Sequence, residues 1–359
     1  MAGPADPLRR ILGRMFGWSG IVVALDTAAS ELESRLRSAG VPANSESDTA
    51  YRTMVLNASG LVQHACAVVI RPEDLDPTTR SQAAHALRAR GVLVGVRMDT
   101  GWEEITSTWD LVTSGLDGLR SRLTWSRDRG ATLALWSVCT TTNAGGLAAL
   151  TANSQAAARF ARTCQSVGVL PVLRIGSRMP AGSPGCRRGS LAAALLSVTG
   201  HLADLEVDLG AVVINTTHEP EPGIDPLGRR VLDALPHDLG GVVLGARRTV
   251  GPACPGHDVA GDLGELAAAC VPTWPVSFYL GREVTLPALR AWRGSRSRTE
   301  AGQKVLESGL AVASTALRRA TGRAGSDTSL SYRRADVVLP AFGSTLRAVP
   351  DPWEAGIRG

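Results

Sequence analysis

The chain has 359 residues, 44% hydrophobic and 20% charged, enough for one domain of about 250 residues with extensions or for two of about 100–200, and this balance excludes fibrous and disordered classes. Its net charge of +5 rests on scattered arginines, with a single lysine, Lys304; without a basic stripe or zinc-finger spacing, nucleic acid is not an expected partner. No apolar run approaches the ~20 residues that cross a bilayer, and the cysteines at 66, 139, 164, 186, 254 and 270 form no CxxC pair, so no membrane is expected and reduced thiols in a cytoplasmic setting are.

In chain order, the spacing of Leu8, Ile11, Leu12, Met15 and Phe16 predicts a short amphipathic helix lying on the body. Eight β-branched runs then follow: GIVVALD, ACAVVIR, GVLVGVRMD, TLALWSV, VGVLPVLRI, LGAVVIN, GGVVLGA and WPVSFYL. Stretches of helical periodicity lie between them, among them SQAAHALRAR and LAALTANSQAAARFARTCQSVG, and they fit the crossovers that parallel strands need. Eight β/α units in a row predict an α/β fold of the (β/α)8 TIM-barrel type. One domain is expected over residues 1–325, closed by the helix AGQKVLESGLAVASTALRRATG, with a loosely ordered tail over 326–359.

Barrel sites lie at the C-terminal strand ends, so the chemistry is sought there. Arg97 and Asp99, two apart, share a face and point together into the mouth or together away from it. Asn215, His218 and Glu219 follow the sixth run, and a histidine beside a glutamate can move protons near neutral pH. Trp136 is open between flooring a ligand pocket and packing in the core. Trp102, Trp109 and Tyr279 fall near predicted strand ends. The six histidines are dispersed, so no convergent zinc set is expected and no cofactor is assigned.

The ordered fragments ALDTAAS, AYRTMVL, GVRMDTG, TSGLDGL, ARTCQSVGVLPVL, FYLGREV and LPALRAW, over roughly residues 5–320, resemble the eukaryotic-type class I fructose-bisphosphate aldolase family. The resemblance implies the barrel, a homo-oligomer, and a sixth-strand lysine that forms an imine with a ketose phosphate; alignment puts that position at Ile214. Asp26 matches the family's acid on strand one, Arg97 stands in place of a lysine, and Arg282 matches a phosphate-binding arginine. The family's polar residues on strands four and five fall at Leu135 and Ser137 and at Arg174 and Gly176, and its seventh-strand phosphate loop at Gly245, Ala246 and Arg247.

Lys304, in the last helix, cannot supply the missing amine, and a guanidinium stays protonated. Two readings follow. In the first, a repurposed enzyme of specialised metabolism in a GC-rich bacterium acts on an anionic small molecule without an imine. Asp26, Asp99, His218 and Glu219 are its proton carriers, while Arg97, Trp136, Ser137, Arg174, Asn215, Arg247, Tyr279 and Arg282 bind the substrate. In the second, the barrel is inactive and binds a metabolite or a protein.

Overall fold

The computed structural model describes residues 5–76, 82–104, 111–142, 147–176, 187–188, 191–218, 234–246, 259–271 and 273–322. All eight runs form strands: β1 (Ile21–Ala24), β2 (Ala65–Ile70), β3 (Leu93–Arg97), β4 (Leu133–Cys139), β5 (Leu170–Gly176), β6 (Val213–His218), β7 (Gly241–Ala246) and β8 (Val276–Leu280). They close into a barrel in which each strand pairs in parallel with its neighbours in sequence and β8 returns to β1. The fold is a (β/α)8 TIM barrel. Parallel strands are covered on both faces, which is why these segments read as unbroken hydrophobic runs.

The helices are α1 (Ala5–Phe16), α2 (Ala29–Ser38), α3 (Ser45–Leu56), α4 (Ser59–His64), α5 (Gln82–Ala89), α6 (Leu119–Asp128), α7 (Leu147–Ser166), α8 (Leu191–Asp204), α9 (Val259–Cys270), α10 (Arg282–Trp292) and α11 (Thr299–Ala320). Two apolar cores result. The outer one, between sheet and helices, takes Ile21, Val23, Val94, Val96, Ala134, Trp136, Leu173, Ile175 and Ile214. The inner one takes the alternate positions, including Val22, Leu93, Leu133, Leu135, Leu170, Val172, Val213, Val243 and Tyr279. Membership of one core or the other therefore reports which way each strand residue points.

The predicted amphipathic helix does more than lie on the body. Leu8, Leu12, Met15 and Phe16 of α1 belong to the inner core, so α1 closes the floor of the barrel. Contact there is close enough to require glycine: a Cβ on Gly241, the first residue of β7, would stand 2.4 Å from the Phe16 ring. The floor is sealed mainly with hydrocarbon, Ser277 of β8 donating its hydroxyl to the Gly20 carbonyl at 2.7 Å, and the charged inward positions lie at the opposite end.

The last helix starts and ends two residues earlier than the pattern predicts, at Thr299–Ala320, and its expected tail lies outside the described residues. Cys66, Cys139, Cys164 and Cys270 are buried; Cys186 and Cys254 lie outside the described residues. No described helix is long and apolar enough to cross a membrane.

Candidate active site

Counting two residues at a time up from the inner core puts Asp26, Arg97, Asp99, Ser137, Arg174, Asn215 and Tyr279 on the inward face at the C-terminal end of the barrel. Arg174 of β5 is the hub. Its Nε and Nη2 donate to Ser137 Oγ at 3.2 and 2.6 Å. Its Nη1 donates to Asp26 Oδ2 at 3.2 Å and to the Tyr279 hydroxyl at 3.4 Å. One guanidinium thus ties β5 to β4, β1 and β8. Burial works against its charge, but Asp26 foremost, with Tyr279 and Asp99, outweighs burial and raises its pKa above the ordinary arginine value.

The Tyr279 hydroxyl donates to Asp26 Oδ1 at 3.2 Å. Burial, reinforced by the Asp26 carboxylate, pushes the phenol above its usual pKa, so it remains protonated and acts as a donor. Across the mouth, Arg97 binds Asp99 Oδ1 through Nε at 2.7 Å and also through Nη2, and its Nη1 reaches the Asp26 carbonyl at 3.5 Å. The other Asp99 oxygen accepts the Ser137 backbone N–H at 3.0 Å. Both carboxylates are buried and both are ion-paired: Asp26 with Arg174 at 5% and 14% side-chain exposure, Asp99 with Arg97 at 0% and 10%. Of the three arginines expected to bind substrate, Arg97 and Arg174 are ion-paired within the mouth.

Asn215 also faces inward, in register with Arg174 on one side and Val243 on the other. It is fully buried, and neither Nδ2 nor Oδ1 has a hydrogen-bond partner. A buried polar group left unpaired costs about 1–3 kcal/mol, so this amide is the least settled group in the mouth. At the start of α10, Arg282 likewise has a buried Nε without a partner. Beside it the Glu283 carboxylate folds back to accept the Gly281 N–H at 2.9 Å. Burial raises the Glu283 pKa, partly offset by backbone N–H groups of Glu283 and Gly281.

The rim is built from an antiparallel ribbon, Gly101–Glu104 with Leu111–Ser114. Thr113 Oγ1 donates to the Ser137 carbonyl at 2.7 Å, and Asn153 of α7 bonds Thr113 N–H and the Leu111 and Cys139 carbonyls. From this ribbon Trp102 presents its ring 5.7 Å from the Arg97 guanidinium.

Two sequence expectations change with the strand faces. Ile214 sits in the outer core, so the inward residue of the sixth strand is its neighbour Asn215. Trp136 is fully buried against Phe160 of α7, ring centroids 5.2 Å apart; it packs between sheet and helix in the outer core. His218 ends β6, but its side chain, like the whole of Glu219, Arg247 and Trp109, lies outside the described residues. Among the described residues no three His, Cys, Asp or Glu side chains converge as a metal would require.

Sequence reasoning assigned no role to Arg52, in the middle of α3. Buried at 4% exposure, it pairs with Asp48 at 2.7 Å and Asp74 at 2.9 Å. It also donates to the carbonyls of Leu25 and Thr27 at 2.7 and 3.4 Å, on either side of Asp26. An arginine four residues after an aspartate, on a helix with an apolar face, was the available signal.

Comparison with known proteins bears on this barrel directly. The family model described as fructose-bisphosphate aldolase class-I matches residues 12–230, more than half of the chain. The chain belongs to that family. Among its relatives, a probable class 1 fructose-bisphosphate aldolase of Xanthomonas axonopodis pv. citri is 26% identical over 76% of this chain and 85% of its own. Fructose-bisphosphate aldolase C of Pan troglodytes is 25% identical over 78% and 81%. The solved fructose-bisphosphate aldolase of Plasmodium falciparum matches with a TM-score of 0.74 over 88% of this chain and 95% of that one, at 18% identity, a likeness of fold. Within the aldolase family, this chain carries its lone lysine, Lys304, on the outer face of α11, highly exposed and 2.8 Å from Glu300.

Proposed function

We propose that this aldolase-family barrel is a lyase-type enzyme that acts on an anionic small molecule by proton transfer, without an imine intermediate. What supports the reading is the inward position on β6: it holds Asn215, whose amide nitrogen has its lone pair delocalised and does not attack a carbonyl. Lys304, the one amine on a side chain, is on the far surface of the helical layer. Electron withdrawal must then come from fixed charge, and Arg174, Arg97 and Arg282 supply it where an enolate or similar anion develops.

Asp26 and Tyr279, hydrogen-bonded to each other, are the acid/base pair in this reading. Asp99 holds Arg97 in place, and His218 and Glu219 follow β6 as a second pair. The reactions open to such a set are elimination, isomerisation, cyclisation or carbon–carbon cleavage, in a cytoplasmic bacterial pathway of specialised metabolism. Purified protein and its Asp26→Asn variant, incubated with metabolite extracts and profiled by mass spectrometry, test it. A metabolite consumed by the wild type and spared by the variant is expected. A borohydride-reduced adduct on any internal side chain would overturn it.

A second reading, a binding protein without turnover, draws on one observation: both mouth carboxylates are already neutralised by arginine. Ligand protection without any consumed metabolite would favour it.

A further inference from the structure

The start of α10 has the parts that hold an anion, and an anion of the chain's own is already among them. Gly281 follows β8, two residues beyond Tyr279, and opens the helix. A Cβ on it would stand 3.0 Å from that of Ala24, so this helix end lies against β1, two residues short of Asp26. Backbone N–H groups at a helix N-terminus, with a guanidinium beside them, are a ready seat for a phosphate or carboxylate. Here Gly281 supplies the N–H and Arg282 the guanidinium, whose buried Nε has no partner.

Glu283 takes the seat. Its Oε2 accepts the Gly281 N–H at 2.9 Å, and the carboxylate also takes its own residue's N–H. The charges of Arg35 and Arg282 both favour its ionised form, Arg35 reaching in from α2 where Thr27 Oγ1 and Glu31 hold it at 3.3 and 2.7 Å. In a capping box the carboxylate comes from the third helical residue and answers a Ser or Thr cap. Glu283 is the second residue, its cap is a glycine, and it is half-buried. A phosphate brought to the same N–H would meet a carboxylate in its place, and two anions cannot share one set of donors. We infer that Glu283 is a built-in occupant of this cradle, an internal anion that keeps phosphate out, so that the substrate carries no phosphate at the α10 corner of the mouth. This rests on the small-molecule reading proposed above and narrows its substrate class to anions other than a phosphate seated on Arg282.

The test is binding of inorganic phosphate, read without turnover. Full-length wild type, Glu283→Ala and the double variant Glu283→Ala with Arg282→Met are titrated calorimetrically at neutral pH. Glu283→Ala vacates the cradle and should bind phosphate about tenfold or more tighter than wild type, the worth of one charge-assisted hydrogen bond. The double variant should fall back to the wild-type level. If Glu283→Ala does not fold, Glu283→Ser, whose short hydroxyl suits a helix start, takes its place. A folded short variant with no gain, phosphate bound as tightly by wild type, or a gain that survives Arg282→Met would each overturn the inference. Asp26-dependent consumption by wild type of a phosphorylated metabolite whose affinity falls with Arg282→Met would sink this inference and leave the catalytic reading standing. Phosphate capture by the short variant, with no Asp26-dependent turnover, would sink only the catalytic reading.

Discussion

Arg174 is the residue on which the mouth depends, and its removal has a calculable consequence. Arg174→Met keeps the aliphatic length and deletes a guanidinium that makes four hydrogen bonds and one ion pair. With Asp26 only 5% exposed, the carboxylate cannot recover its charge compensation from water. Breaking such a pair from one side costs about 3–5 kcal/mol. Asp26→Asn removes the charge that would be stranded, so the double variant should be less damaged than the sum of the singles, by a coupling of about 1–3 kcal/mol. Urea unfolding of the four proteins at pH 7.5, with equal slopes, measures this. The deficit should persist at about 1 M salt, since buried pairs are screened little, whereas Lys304→Ala, which breaks an exposed pair, should leave the midpoint where it was. Singles that add to within about 0.5 kcal/mol would refute the claim that one charge compensates the other.

Gly241→Ala sets a methyl 2.4 Å from the Phe16 ring and should destabilise by about 1–3 kcal/mol in urea, with Phe16→Leu in the same chain restoring part of the loss. Trp136→Ala removes a fully buried ring stacked on Phe160 and should cost about 3–5 kcal/mol in urea unfolding; a loss below about 1 kcal/mol would contradict its place in the core. Glu283 has a pKa raised by burial, so its share of stability is present below its unfolded pKa of about 4.3 and drains as pH rises through the higher folded value. Thermal midpoints from pH 4 to 8 should therefore show Glu283→Gln gaining on wild type as pH rises, and parallel curves would contradict the assignment.

The eight strands were legible because parallel strands buried on both faces leave continuous runs such as AVVI and GVVL between polar helical stretches. The same continuity hides the face. In VVIN every residue is compatible with burial on either side, and nothing local decides whether Ile214 or Asn215 looks inward, so a one-residue choice of register exchanges hydrocarbon for amide. Only closure of the barrel, with Val213 in the inner core and Ile214 in the outer, decides it. Trp136 was ambiguous for the same reason. By contrast Arg97 and Asp99 were legible as a pair, since spacing by two holds whichever face is chosen.

The network around Arg52 links α3 to this chemistry in a way no strand pattern carries. Its guanidinium reaches the carbonyls that bracket Asp26, and it is itself held by Asp48 and Asp74. Arg71 forms ion pairs with the same two aspartates, at 3.0 and 3.6 Å. Asp26 is therefore fixed from behind through its backbone and from the front through Arg174 and Tyr279. A carboxylate located from both sides has little freedom to swing toward a ligand, so the proposed proton transfer requires that a substrate deliver its reacting carbon to Asp26. On that reading, selectivity rests on how the barrel positions the substrate and not on movement of Asp26.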